Sequence, residues 1–383
     1  MVDGSGLRIA VIGGGIAGAS AAYSLVRHPS RPRVMLLEAE SQLGHHTTGR
    51  SAAQYIENYG AMPIRSLTKA SLDFFENPPA EFCDQPLLSE QAILTVGAPG
   101  QDRSIDRLLE TGRAINPDIA EISLEEAGRL VPLLRTDRLT RAVIEPGSSD
   151  IDVAALLQCF VRGFRAGGGE IATTARVDAA TRSSGSGSEW ALDTTAGPRQ
   201  ADVVVNAAGA WGDVVAATAG IAPVGLAPMR RTAFMVASRW DESPTWPMIT
   251  DADLNWYVKP DGPQFLCSPA DETPSEPMDA KPEEVDIARA IDRINTATTL
   301  DIRSVRSSWA GLRTFVPDRA MVLGPDPADP TFVWCVGQGG NGIQTAPAAG
   351  RLVAELCLDG RPGSFFDGFD LDLAGLSPDR LRT

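Results

Sequence analysis

The feature of this 383-residue chain that most constrains its fold is a glycine-rich turn near the N-terminus. Residues 7–12 are a short, mostly apolar, β-branched run, the turn follows as Gly13-Gly14-Gly15-Ile16-Ala17-Gly18, and residues 19–26 have a helical composition. A strand, a glycine turn and a helix in this order predict a parallel α/β fold whose helix N-terminus faces bound phosphate.

Each position of the turn has a predicted role in binding a dinucleotide. Gly13 permits the tight turn, Gly15 leaves room for a pyrophosphate to approach the backbone, and Gly18 lets the helix pack closely on the strand. Ile16 and Ala17 complete the predicted phosphate-binding backbone, because the amides at a helix N-terminus lack partners within the helix.

The acidic residue Glu38 narrows the choice of dinucleotide. It ends a second buried-looking strand, residues 33–37, and follows Gly18 by twenty residues, where a carboxylate can accept hydrogen bonds from ribose hydroxyls. An acid at this position argues against a ribose 2′-phosphate. The turn and Glu38 therefore predict either NAD or FAD.

The segment after Glu38 distinguishes the two cofactors. Residues 41–53 form a polar, small-residue loop that enters a helix, where a nicotinamide dehydrogenase would continue into another strand and helix. This loop resembles the second, flavin-contacting motif of the D-amino-acid oxidase and sarcosine oxidase class of FAD enzymes. The resemblance implies FAD contacts at Thr47, Thr48, Arg50, Ser51 and Ala52.

Composition excludes several other classes of protein. Hydrophobic residues make up 43% and charged residues 22%, with no apolar run long enough to span a bilayer, as expected of a soluble globular protein without a membrane span. The net charge of −15 would repel a phosphate backbone, so nucleic acid is not an expected partner. The three histidines, His28, His45 and His46, offer little material for a metal site, and no metal is predicted.

The cysteines and the N-terminus indicate a reducing compartment. Five cysteines, at positions 83, 159, 267, 335 and 357, are odd in number, widely spaced and form no CxxC pair. They predict neither a disulfide framework nor a zinc site, so we expect reduced, buried thiols. The N-terminus shows no basic and apolar leader pattern, which predicts a cytoplasmic location.

Two later segments repeat the pattern of a strand that ends in a turn of small residues. Residues 202–206 lead into Ala207-Ala208-Gly209-Ala210-Trp211, and residues 331–336 lead into a glycine-rich turn at 337–344 and a helix at 346–358. The second turn is a site where helix amides can face the negative charge of a reduced flavin. The further predicted cofactor contacts are Val177, Ala208, Gly209, Gly340, Asn341, Gly342, Ile343 and Gln344.

These segments predict an α/β protein with a two-dinucleotide-binding-domain, Rossmann-like FAD fold. An α+β substrate domain built on an antiparallel sheet is interleaved with it along the chain. The FAD-binding domain is predicted at 1–56, 145–228 and 305–383, and the substrate-binding domain at 57–144 and 229–304. Between them, Asp150 is expected to cap a helix at 151–165, and residues 183–188 to form a hairpin tip.

Along nearly its whole length the chain is similar to the D-arginine dehydrogenases, FAD enzymes of the D-amino-acid oxidase class. The matching segments are Gly13 to Gly18, Thr48 to Ala53, Tyr59-Gly60, Asn77-Pro78-Pro79 with Phe82-Cys83, Val205 to Trp211, Arg230-Arg231, Trp309 to Arg313, Gln338-Gly339-Gly340 and Gly342 to Thr345.

The resemblance assigns roles to individual residues. It places Arg231 and Arg313 at the substrate carboxylate, where a planar guanidinium can bind in a bidentate manner. It places Tyr257 beside the carboxylate or amine, Tyr59 near the amine, and Gln344 on the flavin side.

The substrate loop departs from the family pattern. A glutamate that reaches the substrate guanidinium in the arginine-specific enzymes is replaced by Ile93, and a histidine and a threonine become Gln54 and Ile56. Met248 is also placed in the predicted substrate pocket. Since an unpaired buried guanidinium is costly, we expect a neutral, apolar D-amino acid. The acids that remain as replacements are Glu57, Glu90, Asp251 and Asp253.

Sarcosine oxidases hold FAD through a cysteine at the position of Gly311, so noncovalent FAD is expected here. The hypothesis is hydride transfer from the substrate Cα–H to flavin N5, giving an imino acid that hydrolyses to a 2-oxo acid and ammonia. The sequence leaves two alternatives, a glycine, sarcosine or other secondary-amine oxidase and a flavin-binding protein without turnover. It also leaves open whether O2 or a quinone-like compound accepts the electrons, although the resemblance favours a dehydrogenase.

Overall fold

A computed structural model describes residues 6–183, 189–240 and 245–382 of the chain. The predicted hairpin tip at 183–188 lies outside these residues beyond Ser183. The helices are α1 Ile16–Arg27, α2 Met62–Glu76, α3 Asp102–Arg113, α4 Leu124–Leu130, α5 Val153–Ala166, α6 Gly212–Thr218, α7 Glu284–Ala297 and α8 Gly342–Asp359.

The strands divide among four sheets. They are β1 Arg8–Ile12, β2 Arg33–Leu37, β3 Gln54–Tyr55, β4 Leu88–Glu90, β5 Ile93–Gly97, β6 Ala120–Ile122, β7 Arg141–Glu145, β8 Ser149–Ile151, β9 Glu170–Ala172, β10 Val177–Arg182, β11 Trp190–Thr194, β12 Arg199–Ala201, β13 Val203–Asn206, β14 Ala227–Ala237, β15 Met248–Asp251, β16 Tyr257–Asp261, β17 Gln264–Ser268, β18 Thr273–Pro274, β19 Ser307–Phe315, β20 Val322–Pro325 and β21 Phe332–Val336.

The predicted cofactor strands form one six-stranded sheet in the order β20-β21-β13-β1-β2-β9. The pairs from β21 to β9 are parallel, and β20 is an antiparallel edge strand. Both faces are covered by apolar side chains, one beneath α1 and α8 and the other beneath β10 to β12 and α6. The doubly wound FAD fold expected from the sequence is confirmed.

A second, nine-stranded sheet carries the inserted segments. Its order is β18-β14-β17-β16-β15-β5-β7-β6, with β19 paired to β14. Alternate residues of its strands point to opposite faces. Phe234 and Val258 belong to a core under α7, whereas their neighbours Ala233 and Tyr257 belong to a cluster on the other face. The antiparallel β14–β19 pair runs from Ala227 opposite Phe315 to Met235 opposite Ser307. The division into two domains stays a prediction.

The cap of α5 differs from the one expected. The helix begins after Asp152, whose side chain accepts a hydrogen bond from the backbone N–H of Ala155 at 2.8 Å. Asp150 instead lies on strand β8 and forms an ion pair with Lys259. The prediction of Asp150 as the cap was wrong, because two aspartates two residues apart offer the same capping signal and strand pairing selects the second one.

The expectation of five reduced thiols was also wrong. Cys83 and Cys159 form a disulfide that ties the segment after α2 to α5, with their Cα atoms 5.2 Å apart. They are 76 residues apart in sequence, so their spacing gives no sign of the pairing. Cys267, Cys335 and Cys357 are free, and the first two are buried. No helix in the described part of the chain combines the length and apolarity needed to cross a bilayer.

Candidate active site

One cavity of about 450 Å³ opens where strands of the six-stranded sheet end and the nine-stranded sheet begins. Ile12, Leu37, Ala207 and Gly337, at or just after the carboxyl ends of β1, β2, β13 and β21, all line it. The predicted cofactor contacts on its wall are Gly13, Gly15, Ile16, Ala17, Glu38, Thr47, Thr48, Arg50, Ser51, Ala52, Val177, Ala208, Gly209, Gly311, Gly340, Gly342 and Ile343.

The first glycine turn is shaped by close contacts that exclude side chains. Gly13 has φ +107°, and a Cβ there would collide with the carbonyl oxygen of Ala207. A Cβ on Gly18 would collide with the carbonyl oxygen of Gly13, which explains why Gly18 packs behind the turn and does not line the cavity. The first helical hydrogen bond of α1 runs from the N–H of Ala19 to Gly15, so earlier amides take other partners. The N–H of Ile16, predicted to face phosphate, donates to the hydroxyl of Thr48 at 2.9 Å.

Glu38 holds this turn in place. It is almost fully buried, and its two carboxylate oxygens accept hydrogen bonds from the N–H groups of Gly14 at 2.7 Å and Glu40 at 2.8 Å. An ionised carboxylate has about four acceptor positions, so both oxygens keep one for a ribose hydroxyl. Glu38 lines the cavity, as a ribose-binding acid must.

The loop at 47–52 is tied to strand β19. The hydroxyl of Thr47 donates to the carbonyl of Leu312 at 2.8 Å, and Nη1 of Arg50 donates to the carbonyl of Ala310 at 2.8 Å. In return, the indole N–H of Trp309 donates to the carbonyl of Arg50 at 3.0 Å. These bonds join the cofactor side of the cavity to the strand that carries Arg313.

Arg231 and Arg313 project from adjacent strands into the same cavity. Arg231 lies opposite Gly311 in the β14–β19 ladder, and Arg313 lies opposite Met229, so the two arginines are diagonal neighbours on one face. Such a pair can bind both oxygens of a carboxylate.

The two guanidinium groups differ in their partners. Arg231 donates through Nε to the carbonyl of Asp271 at 2.7 Å and through Nη2 to Oε1 of Glu272 at 3.1 Å. Arg313 forms no ion pair within the described residues, and its Nη1 donates to the hydroxyl oxygen of Tyr59 at 3.3 Å. Burial and the nearby Arg313 lower the pKa of Arg231. Burial acts to lower the pKa of Arg313, but the neighbouring Tyr59 and Tyr257 act in the opposite direction and leave this pKa raised.

Two tyrosines complete the polar part of the site. Tyr257 is buried on β16 and lines the cavity. Tyr59 follows strand β3 and reaches Arg313 from outside the cavity wall. The positive charge of Arg313, more than the opposing effect of burial, lowers the pKa of Tyr59.

Other predicted site residues lie behind the wall. Gln344 is buried, accepts from the N–H of Ile56 at 3.0 Å and donates to Thr68 at 3.1 Å and to Asn341 at 3.3 Å. Gln54 donates to Gln91 at 2.9 Å. The predicted residues outside the cavity lining are Gly18, Gln54, Ile56, Tyr59, Ile93, Met248, Asn341 and Gln344.

The candidate replacement acids do not reach the cavity wall either. The carboxylate of Asp251 accepts from Gln101, Asp253 and Asn255, so it shapes its own turn. Met248 lies opposite Ile93 on neighbouring strands and packs against the apolar cluster that contains Tyr257.

Several lining residues were not among the predicted contacts, although Trp211 and Gln338 belong to the matching segments. Arg176 precedes β10, Trp211 and Val214 follow β13, and Gln338 follows β21, all near predicted contacts. Their proximity to the small-residue turns was the available signal. His46 also lines the cavity, with its ring centroid 4.7 Å from that of Trp211.

His45 and His46 lie with Glu40, and one ligand atom from each falls within 4.8 Å of the others. Nε2 of His46 is 3.0 Å from a carboxylate oxygen of Glu40. All three line the large cavity, together with the predicted cofactor contacts Glu38 and Thr47.

Residues 8–356 match the FAD dependent oxidoreductase family designated DAO, and the chain belongs to this family. Glycine oxidase of Geobacillus kaustophilus is 24% identical over 361 residues, covering 91% of this chain and 92% of the relative. FAD-dependent oxidoreductase domain-containing protein 1 of Bos taurus is 24% identical over 400 residues, covering 92% and 81% of the two chains.

Solved structures share the fold along nearly the whole chain. L-Proline dehydrogenase from P. horikoshii superposes with a TM-score of 0.83 at 20% identity, covering 98% of each chain. Glycine oxidase from Geobacillus kaustophilus superposes with a TM-score of 0.82 at 22% identity, covering 97% of this chain and 98% of that one.

The cofactor of the chain is FAD, as its family requires. The residues present fit a dinucleotide, because the side-chain-free turns, the buried Glu38 and the start of α8 surround one cavity. The chain is therefore an FAD-dependent oxidoreductase with a site suited to amino-acid-like substrates.

Proposed function

We propose that the chain oxidises the CH–NH2 group of a small D-amino acid with a neutral side chain, giving an imino acid that hydrolyses to a 2-oxo acid and ammonia. The observation that carries this proposal is the pair of arginines on the cavity wall, of which Arg313 has no carboxylate partner within the described residues. A buried cation is costly without an anion. A substrate carboxylate supplies the missing charge.

The preference for a neutral side chain is supported by the surroundings of Tyr257. Ala233, Met235 and Leu266 form a buried cluster with it, and Ala52, Met248 and Trp309 pack against this cluster. Ile93, opposite Met248, continues the apolar surface. Of these residues Tyr257, Ala233 and Ala52 line the cavity and the others pack behind them, and none is charged. The charged residues nearby on the same sheet are engaged, since Lys259 pairs with Asp150 and the buried Glu145, opposite Ile93, has its pKa raised to about 7.

The residues of the chain orient the substrate. Arg231 and Arg313 bind the carboxylate, the hydroxyl of Tyr59 keeps Arg313 directed into the site, and Tyr257 closes one side. Fixed binding of this kind supplies much of the rate in a reaction between two bound partners. Bound FAD supplies the two-electron acceptor for the substrate hydride.

The substrate amine must be neutral when the hydride leaves. The described polar groups of the clamp are arginines and tyrosines; His45 and His46 line the same cavity beside Glu40 and outside the clamp, and His28 does not line it. We therefore assign removal of the amine proton to water or to the equilibrium that precedes binding. Under this assignment, the apparent pKa in the pH profile of kcat/KM is that of the amine of the free substrate.

A second candidate is the oxidation of glycine, or of sarcosine or another secondary amino acid. Two of the similar solved structures are an L-proline dehydrogenase and an iminodiacetate oxidase, which act on secondary amines. Both candidates need the carboxylate clamp, and they differ in the group on nitrogen and in the configuration at Cα.

Noncovalent FAD fits the site, since none of the five cysteines lies on the cavity wall and Gly311 has no side chain to attach. We keep a dehydrogenase as the proposed acceptor class and the cytoplasm as the proposed compartment; the Cys83–Cys159 disulfide removes the support that reduced thiols gave to that compartment.

An anaerobic screen of flavin reduction tests the function. D-alanine, D-phenylalanine, D-arginine, their L-forms, glycine, sarcosine and L-proline are mixed separately with the purified protein. Bleaching by neutral D-amino acids supports the first candidate, and bleaching confined to glycine, sarcosine or L-proline supports the second. Absence of bleaching by every compound refutes both. Admission of air then separates an oxidase from a dehydrogenase.

A further inference from the structure

We propose that Glu272 determines substrate specificity, because its carboxylate positions Arg231 and its charge rejects substrates that carry a second carboxylate. The proposal rests on the carboxylate clamp of the proposed function. Glu272 lies on the segment between β17 and β18, at the outer side of that clamp.

The contacts of Glu272 place its negative charge between two cations. Oε1 accepts from Nη2 of Arg231 at 3.1 Å, and both oxygens accept from Nη2 of Arg319, at 3.0 and 2.9 Å. The guanidinium of Arg319 lies 3.7 Å from the ring centroid of Phe315, which fixes it at this position. Glu272 is therefore held from both sides although it is exposed.

The same contacts orient Arg231. The carbonyl of Asp271 and the carboxylate of Glu272 bind its Nε and Nη2, whereas the guanidinium also lines the cavity. The remaining N–H groups are left for a ligand. The side chain of Arg231 is only 15% exposed, so this arrangement operates in a partly desolvated environment.

Glu272 is the acid that acts on the whole clamp. Its charge acts to raise the pKa of Arg231, Arg313 and Tyr59, against the larger effects of burial and of the arginines themselves. The neighbouring Asp271 is engaged elsewhere, since its carboxylate accepts from the N–H and hydroxyl of Thr232 and lies 3.5 Å from Nε of Arg230.

This arrangement discriminates between anions by their charge. A monocarboxylate meets two arginines of which one is already partly neutralised. A dicarboxylate brings a second negative charge to a site where Glu272 occupies the outer edge of Arg231 and the adjacent Arg319. Like charges at a partly exposed site of this kind change affinity by about threefold to tenfold.

Binding of unreactive anions to the FAD-loaded protein tests the proposal. Dissociation constants for butanoate and butanedioate are measured by calorimetry for the wild type, Glu272→Gln and Glu276→Gln. Glu276 is an exposed acid four residues further along, after β18, and its substitution removes the same charge. We expect Glu272→Gln to improve butanedioate binding relative to butanoate by about threefold to tenfold, and Glu276→Gln to leave the ratio unchanged. An unchanged ratio in Glu272→Gln, an equal change in Glu276→Gln, or no binding of either anion overturns the assignment.

Turnover provides the second readout. For Glu272→Gln, kcat/KM for D-glutamate should rise relative to its neutral analogue D-glutamine, mainly through KM. The anion measurement requires no catalysis, so a shifted anion ratio without turnover of any amino acid would refute the proposed function and leave the role of Glu272 standing. A shift for D-glutamine as large as that for D-glutamate would show a merely structural effect and refute that role.

Discussion

The hydroxyl oxygen of Tyr59 accepts a hydrogen bond from Nη1 of Arg313 at 3.3 Å. This contact links the loop after strand β3 to strand β19, which carries Arg313 into the candidate substrate site. Arg313 in turn holds the pKa of Tyr59 below its usual range.

Replacement of Tyr59 by phenylalanine should lower kcat/KM for the preferred amino acid by about tenfold, because a hydrogen bond to a charged group contributes about 1.5–3 kcal/mol. In an ultraviolet difference titration, the variant should also lack the signal of one tyrosine whose pKa lies below the ordinary range. Tyr23→Phe is the control, since Tyr23 packs among Phe74, Phe82 and Phe160. Equal kinetics for the two variants would contradict this prediction.

Loss of either clamp arginine should abolish most recognition of the substrate. Arg231→Ala and Arg313→Ala should each reduce kcat/KM by at least about a hundredfold, or about 3 kcal/mol, since each removes a charged hydrogen-bonding group from a partly buried site. Arg303→Ala is the matched control, because Arg303 pairs with Asp301 on the surface. Steady-state kinetics are measured on every substrate found in the screen. A variant that keeps the wild-type kcat/KM on all of them would contradict the carboxylate clamp.

The first glycine turn should tolerate no side chain. Gly13→Ala adds a collision with Ala207 to the cost of a left-handed backbone, so we expect loss of bound FAD or of soluble protein. Gly100 has a similar φ of +96° with nothing within 4 Å of an added Cβ. Gly100→Ala therefore measures the backbone cost alone, about 1 kcal/mol. The flavin-to-protein absorbance ratio distinguishes the variants, and normal FAD content in Gly13→Ala would contradict the collision.

Glu145 should make stability depend on pH. It is buried on β7 opposite Ile93, and burial raises its pKa from 4.5 to about 7. Between pH 4.5 and about 7 the Glu145 carboxyl is protonated in the folded state and ionised in the unfolded state. Its contribution to the free energy of unfolding is therefore complete below pH 4.5 and is lost as pH rises to about 7. The full effect is about 3 kcal/mol.

Urea unfolding at several pH values provides the measurement for Glu145→Gln. The variant should lose this part of the pH dependence and be more stable than the wild type at pH 8, whereas Glu90→Gln, on exposed β4, should follow the wild type. A Glu145→Gln profile parallel to that of the wild type would disprove the assignment.

The disulfide predicts a thiol count and a stability change. Titration of the denatured, unreduced protein should detect three thiols, those of Cys267, Cys335 and Cys357, and reduction should raise the count to five. The double variant Cys83→Ala, Cys159→Ala should lose about 2–4 kcal/mol, because the bridge closes a long loop in the unfolded chain. Five thiols before reduction would show that the pair is open.

Local patterns in the sequence were sufficient to predict the cofactor half of the molecule. Three strands of the doubly wound sheet, β1, β13 and β21, end in a turn of small residues, and strand and turn are contiguous in the chain. Glycine at positions 13 and 18 has steric reasons that depend only on neighbours within that fold.

The substrate half depends on pairings between distant segments. That Arg231 stands diagonal to Arg313 follows from the register of β14 with β19, and that Glu272 reaches Arg231 follows from a loop 41 residues further along. Cys83 meets Cys159 only after α5 packs beside α1. None of these relationships has a periodic or compositional signature. The family resemblance brought the two arginines to one carboxylate, but it gave no sign of the Glu272 contact or of the disulfide.

The bonds from Thr47 and Arg50 to the carbonyls of Leu312 and Ala310 have a thermodynamic consequence. A ligand that orders the loop at 47–52 also restrains the strand that carries Arg313, and a ligand held by Arg313 restrains the loop. The two binding equilibria are therefore coupled, and the coupling is reciprocal. Cofactor and amino acid should each tighten the binding of the other by the same factor.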